Sequence, residues 1–134
     1  MPTPKDVTEL LGFLPRLTAP GFQPVRQWHG GPKGDHTYEL PWPDYDPVVE
    51  EFVKAASREC WIDPDYDPTT AGRMLEDHEL IASADLAQIR TMLTYCLRGE
   101  RFCEGHWGAV IEAGHVERLL RRLAELRDAG LLDG

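Results

Sequence analysis

Residues 83–128 read SADLAQIRTMLTYCLRGERFCEGHWGAVIEAGHVERLLRRLAELRD, and this stretch decides the class of fold. Leu86, Ile89, Leu93, Cys96 and Leu97 fall at helical spacing, so the pattern predicts a helix capped by Ser83 and stopped at Gly99. Arg98-Gly-Glu-Arg101 then reads as a turn. Phe102 is placed as a hydrophobic staple, Cys103 as a cap, and residues 104–106 as the first turn of a helix carrying Trp107, Val110 and Ile111. Gly114 interrupts that helix. Val116, Leu119, Leu120, Leu123 and Leu126 mark the apolar face of a last one, over 115–128.

Upstream, a pentapeptide recurs: Pro43-Asp-Tyr-Asp-Pro47 returns as Pro64-Asp-Tyr-Asp-Pro68. In each copy the second Asp can accept backbone N–H bonds as an N-cap. The following Pro loses no hydrogen bond at the first helical position. Each copy therefore predicts a helix start, one over 47–60 and one over 68–77. The residues after the two copies differ, so the chemistry of the cap is repeated and not a module. Another helix is expected over 6–14, capped by Asp6 with Glu9 and ended by Pro15. Residues 18–46 form an irregular Pro/Gly-rich segment. Within it Val25–Trp28 and His36–Leu40 flank the glycine-rich HGGPKGD and suggest a short β-hairpin. The fold class read from these elements is all-α. The expectation is one compact helical domain of five or six helices spanning residues 1–134, with the hairpin in its N-terminal third.

Composition narrows the function classes. The 134 residues carry a formal charge of −9, concentrated in residues 35–67, where ten acids meet two bases. Nucleic-acid binding needs a basic face, and the cluster Arg118, Arg121 and Arg122 is diluted by Glu117 and Glu125. Neither nucleic acid nor membrane is expected as a partner. The longest uncharged stretches fall short of the roughly 20 apolar residues of a membrane helix. The start MPTPKDVTELLGFLPRL lacks the pattern of a secretory signal. Three cysteines cannot all pair within one chain, which favours a reducing compartment and a cytoplasmic location.

Candidate sites gather around the Arg98–His106 junction. Arg98 and Arg101 beside a helix start could hold a carboxylate or phosphate, with Cys103, His106 and Trp107 at hand. Against this, Arg98 suits the last turn of a helix and Arg101 could pair with a nearby acid. A nucleophilic reading uses Cys103 with His106 or His115 and an acid such as Glu104 or Glu112. A zinc reading uses Cys96, Cys103, His106 and His115, although no CxxC or HExxH pair is present. Asp63, Asp65 and Asp67 imitate the first positions of a calcium loop, but Pro68 and Met74 stand where its Gly and Glu belong. Trp28, Trp42 and Trp61 lie among Gly and Pro, where they could line a pocket or an interface or equally pin loops onto the helical core; Trp107 reads as core.

The run Arg98-Gly-Glu-Arg-Phe-Cys-Glu-Gly-His-Trp107, then Gly114 and an Arg/Leu-rich helix, resembles a family of small bacterial domains of unknown function. Tyr38-Glu-Leu-Pro, Tyr45 and Val49-x-x-Phe52 are similar to it as well, so the likeness covers roughly residues 20–127. The resemblance implies that Arg101, Phe102, Gly105 and Gly114 belong to the family's pattern, and it brings no chemistry with it. The role expected is therefore non-catalytic, a small protein that self-associates or binds a protein partner, with no cofactor. The alternatives are a small enzyme or anion-binding protein at the Arg98–His106 junction, and a zinc-binding helical domain. A further one is an acidic decoy for a nucleic-acid-binding protein.

Overall fold

A computed structural model describes all residues except Lys33, Asp35, Asp133 and Gly134. Two short helices, α1 (Pro4–Leu11) and α2 (Phe13–Leu17), lead into the antiparallel strands β1 (Val25–Pro32) and β2 (Tyr38–Tyr45). Six helices follow: α3 (Pro47–Ala56), α4 (Pro68–Glu76), α5 (His78–Ala82), α6 (Leu86–Arg98), α7 (His106–Glu112) and α8 (His115–Asp128). A single 3-10 turn, Gly99–Arg101, joins α6 to α7. The all-α expectation thus gives way to a helix-dominated fold with a two-stranded hairpin, and the helices are more numerous and shorter than the five or six expected. Two residues of the glycine-rich turn, Lys33 and Asp35, lie outside the described residues.

The helix starts explain the differences. Thr3, not Asp6, caps α1: its hydroxyl accepts from Asp6 N at 3.2 Å while the Asp6 carboxylate accepts from Thr3 N at 2.8 Å. This reciprocal pair satisfies two donors at once, and Pro4 sits where no donor is needed. Pro15 does not end that helix; it lies in the first turn of α2, where its missing N–H is harmless. Ser83 closes α5 instead of opening α6. The cap of α6 is Asp85, in a capping box with Gln88. Asp77, read as the end of α4, also starts α5 by accepting from Leu80 N, a helix the apolar periodicity did not reveal. The repeated pentapeptide behaves as its chemistry requires, with Asp46 accepting from Val48 N and Asp67 from Thr69 N. The Asp67 carboxylate is committed to that cap, and Asp63 accepts from Asp65 N and from the Thr91 hydroxyl, so the acidic run is spent on local structure.

The apolar stripes of α6 and α8 meet at the centre. Leu93, Leu119, Leu120 and Leu123 are all buried, with Leu10 of α1, Phe52 of α3 and Leu75 of α4 around them. Trp61 is fully buried as well, which selects the second of its two readings, a side chain that pins its loop onto the core. Its loop is strapped to α6 by three side chains on one side of that helix. Arg90 donates to the Ile62 carbonyl at 2.7 Å, Thr91 to the Asp63 carboxylate at 2.6 Å, and the Thr94 hydroxyl accepts from Asp63 N at 2.9 Å. Ordering that loop lets the indole fill the core, although its Nε1–H is buried with no hydrogen-bond partner among the described residues. No helix among the described residues is long and apolar enough to cross a membrane.

Candidate functional site

The junction singled out in the sequence is built around one carboxylate. The 3-10 turn carries Glu100 back toward the start of α7, where its Oε2 accepts from Gly105 N at 3.0 Å and its Oε1 from Trp107 N at 2.9 Å. Oε1 also accepts from the Tyr45 hydroxyl, 2.8 Å away at the end of β2. The positive end of α7, expected to attract a ligand anion, is therefore already occupied by Glu100. Burial and the hydrogen bond to Glu100 hold the Tyr45 phenol protonated well above its ordinary range. Glu100 has no role in the sequence reading, and Tyr45 enters it only through the family resemblance. A Glu three residues into a turn has no signature, and its partner lies 55 residues away.

Glycines allow the close approaches that complete the junction. Gly105 has φ of 91°, and a Cβ there would lie 2.6 Å from the Trp28 ring, so the indole of β1 rests directly on the turn. At Gly99 a Cβ would run into the His106 imidazole, whose Nε2 donates to the Tyr95 carbonyl at 3.2 Å. His106 is thus a packing and hydrogen-bonding residue between α6 and α7. Cys103 is exposed, its Sγ 3.8 Å from the Glu104 carbonyl; its own carbonyl accepts from His106 N at 3.1 Å, while no bond between its thiol and the His106 ring is found among the described residues. It does not cap α7; Gly105 occupies that position. Phe102 is 82% exposed and staples nothing.

The four residues of the zinc reading are engaged apart from one another. Cys96 is buried and burial pushes its thiol up to about 12, so it stays protonated at neutral pH. His115 accepts at Nδ1 from Arg118 at 2.9 Å, and burial followed by the Arg118 charge keeps its imidazole neutral to lower pH than usual. Among the described residues there is no group of three or more His, Cys, Asp or Glu able to hold a metal ion. The zinc set is thereby withdrawn.

What the junction does form is a cleft of about 390 Å³. Val53, Ile62, Leu97 and Trp107 wall it, and Arg98, Arg101 and Ser57 stand at it. Three of the five junction residues expected at a site, Arg98, Arg101 and Trp107, are therefore brought together, while Cys103 and His106 lie outside the lining. Trp107 is half-buried, and its indole N–H donates to the Leu97 carbonyl at 2.7 Å, fixing it as a wall. Arg98 lies over the Tyr66 ring at 5.6 Å. Val53, Ser57 and Ile62 come from α3 and the loop after it, a convergence no local spacing announces.

The hairpin presents a second surface. Its base is docked: Trp28 on Gly105, Val25 and Tyr45 over Gly108. Beyond the base, Tyr38 is 63% exposed and Leu40 77%, and Trp42 is also exposed, stacked on His29 at 4.2 Å.

Among known proteins, the model of a family of unknown function (DUF6508) matches residues 2–129. No curated protein and no solved structure matches the chain. The chain belongs to that family.

Proposed function

We propose that this member of the family is a non-catalytic interaction module, which associates with a second copy of itself or with a protein partner through the outer part of its hairpin. The observation that carries the reading is the exposure of Tyr38, Leu40 and Trp42 on one strand. Scattered apolar residues on a surface mean little, but three large ones within five residues of one strand concentrate exposed apolar area at the outer part of the ribbon, on both sides of the register shift opposite His29–Gly31. A lone two-stranded ribbon is marginally stable in water, so covering this one would stabilise it. Pro41 and Pro43 remove two backbone donors from β2, which discourages open-ended strand addition and leaves the side-chain face as the contact. The charge of the hairpin is mixed, Arg26 on β1 against Glu39 and Asp44 on β2, so the overall acidity does not forbid self-association there.

Native mass spectrometry of the untagged protein at micromolar concentration tests the reading. The expected result is a dimer, or a defined complex with a partner, that reverts to monomer in the double variant Leu40→Ser, Trp42→Ser. A strictly monomeric wild type with no partner bound, or a dimer indifferent to the double substitution, overturns it.

A further inference from the structure

We infer that the cleft between α3, α6 and α7 is a binding site for a small carboxylic acid with an apolar body. The inference goes beyond the hairpin reading, since no residue lining the cleft belongs to the hairpin. Two clefts of similar size make the case by contrast. The other, about 460 Å³ between α1, α2 and α3, is also edged by arginines, but there each guanidinium has its acid. Arg16 meets Glu51 at 2.6 Å, and Arg58 meets Glu9 at 3.1 Å and Asp6 at 3.4 Å. There the arginines are taken up by acids of the cleft and its edge, and Lys54 lines it as well. In the junction cleft no ion pair or hydrogen bond from Arg98 or Arg101 is found among the described residues; Arg98 lies over the Tyr66 ring, and the nearby Asp63 carboxylate, held low by the Thr91 hydrogen bond with smaller contributions from Arg90 and Arg98, is bonded to Thr91 and to Asp65 N.

The single acid lining the cleft, Glu100, does not fill that role. Its two oxygens accept from Gly105 N, Trp107 N and the Tyr45 hydroxyl, so the carboxylate is turned into the start of α7. One negative charge against two positive ones leaves the rim cationic. The Ser57 hydroxyl adds a donor without a partner of its own. The Trp107 indole and the Leu97 carbonyl are bonded to each other. Two guanidinium groups at one rim favour an anion, and their planar fork suits a carboxylate. Below them Val53, Ile62 and Leu97 offer an apolar wall, which a bare inorganic anion would leave wet. The cleft volume lies at the low end for small-molecule sites, which limits the ligand to a compact acid.

The probe is N-acetyl-L-phenylalanine, followed by amide chemical shifts of the full chain, with N-acetyl-L-phenylalaninamide and inorganic phosphate as comparators. The expected result is saturable binding whose shifts centre on Val53, Leu97 and Trp107. The uncharged amide should bind at least about tenfold more weakly, as the loss of one charge-assisted contact would give. Arg101→Gln should weaken the acid by a similar factor while leaving the melting temperature unchanged, because Arg101 is exposed and no partner for it is found among the described residues. Arg98→Lys keeps the charge and gives up the fork, so it should weaken binding less than Arg98→Gln. Equal affinity for acid and amide, phosphate binding as tightly as the acid, undiminished binding by a normally folded Arg101→Gln protein, or no shifts at millimolar acid would each overturn the inference. None of these results bears on the oligomeric state, so failure here leaves the hairpin reading where it stood.

Discussion

The helical body and the hairpin spend their apolar residues in opposite ways. Along α8 every residue of the stripe, from Val116 to Leu126, is buried. Along β2 only Tyr45, the last residue, is buried, while Tyr38 and Leu40 are among the most exposed large side chains of the protein. The body is held by area, since each enclosed leucine contributes roughly 1.5–3 kcal/mol by leaving water. The hairpin is held at its base, by the Trp28 and Val25 contacts with two glycines and by the bond from Tyr45 to Glu100. An element attached by so little area owes its position to specific contacts, and these are easier to remove singly than a core.

The largest effect should therefore come from the body. Leu119 is fully buried where α8 packs against α6. Leu119→Ala should cost about 2–5 kcal/mol, through lost burial and the cavity left behind. Urea denaturation followed by far-ultraviolet circular dichroism reads this directly. A loss below 1 kcal/mol, on the order of a surface substitution, would mean the stripes are not what holds the helices together.

An intermediate effect is expected at the attachment. Tyr45→Phe keeps the ring and its tilted contact with Trp107 at 5.3 Å but removes the hydroxyl that donates to Glu100 and accepts from Gly108 N. The cost should be about 1.5–3 kcal/mol at neutral pH, the usual worth of a hydrogen bond to a charged group. Its pH dependence has a definite sign. Burial and Glu100 raise the Tyr45 phenol above its ordinary value of 10.0, so the folded state holds that proton more firmly than the unfolded chain does. The phenol's contribution is complete below pH 10 and is lost as pH rises from there toward the raised value. The stability gap between wild type and Tyr45→Phe should accordingly narrow in alkali. A gap that stays constant, or widens, between neutral pH and the alkaline limit would show that the hydroxyl is not held as the geometry implies.

The same contrast explains what could be read in advance. Helix α8 was legible to the residue, over 115–128, because five apolar side chains repeat at the helical period and glycines bracket them. Asp46 and Asp67 were legible as caps because capping is a local bond between neighbours in the chain. Ser83 misled because two capping residues stand two apart, and only the reciprocal partner Gln88 selects Asp85. At the junction, Arg98, Arg101 and Trp107 could be picked out by type. The carboxylate that organises it could not, since Glu100 acts through Tyr45 and through backbone donors whose positions depend on the fold. Trp61 and Trp42 are alike in sequence surroundings, each near Pro and Asp, yet one is sealed in the core and the other stands on the hairpin. What separates them is the strap of Arg90, Thr91 and Thr94 over the first, a set of long-range bonds that no periodicity encodes.

The smallest effect on stability should come from the outer hairpin, and its smallness is the point. Leu40 is 77% exposed, so Leu40→Ser should change the folding free energy by no more than about 0.5 kcal/mol, although a leucine of the same size inside the body is worth several times that. Where the chain is associated, the comparison inverts. A side chain that contributes nothing to the isolated fold then contributes to the complex, and stability becomes dependent on protein concentration in the wild type but not in the variant. Thermal melts of both proteins across a hundredfold range of concentration separate the two cases. A wild-type midpoint that climbs with concentration beside a flat Leu40→Ser midpoint places the work of Leu40 between molecules. Two flat lines that coincide would leave the exposed leucine without that role, and two flat lines with the variant well below would place Leu40 in the fold itself, against its exposure.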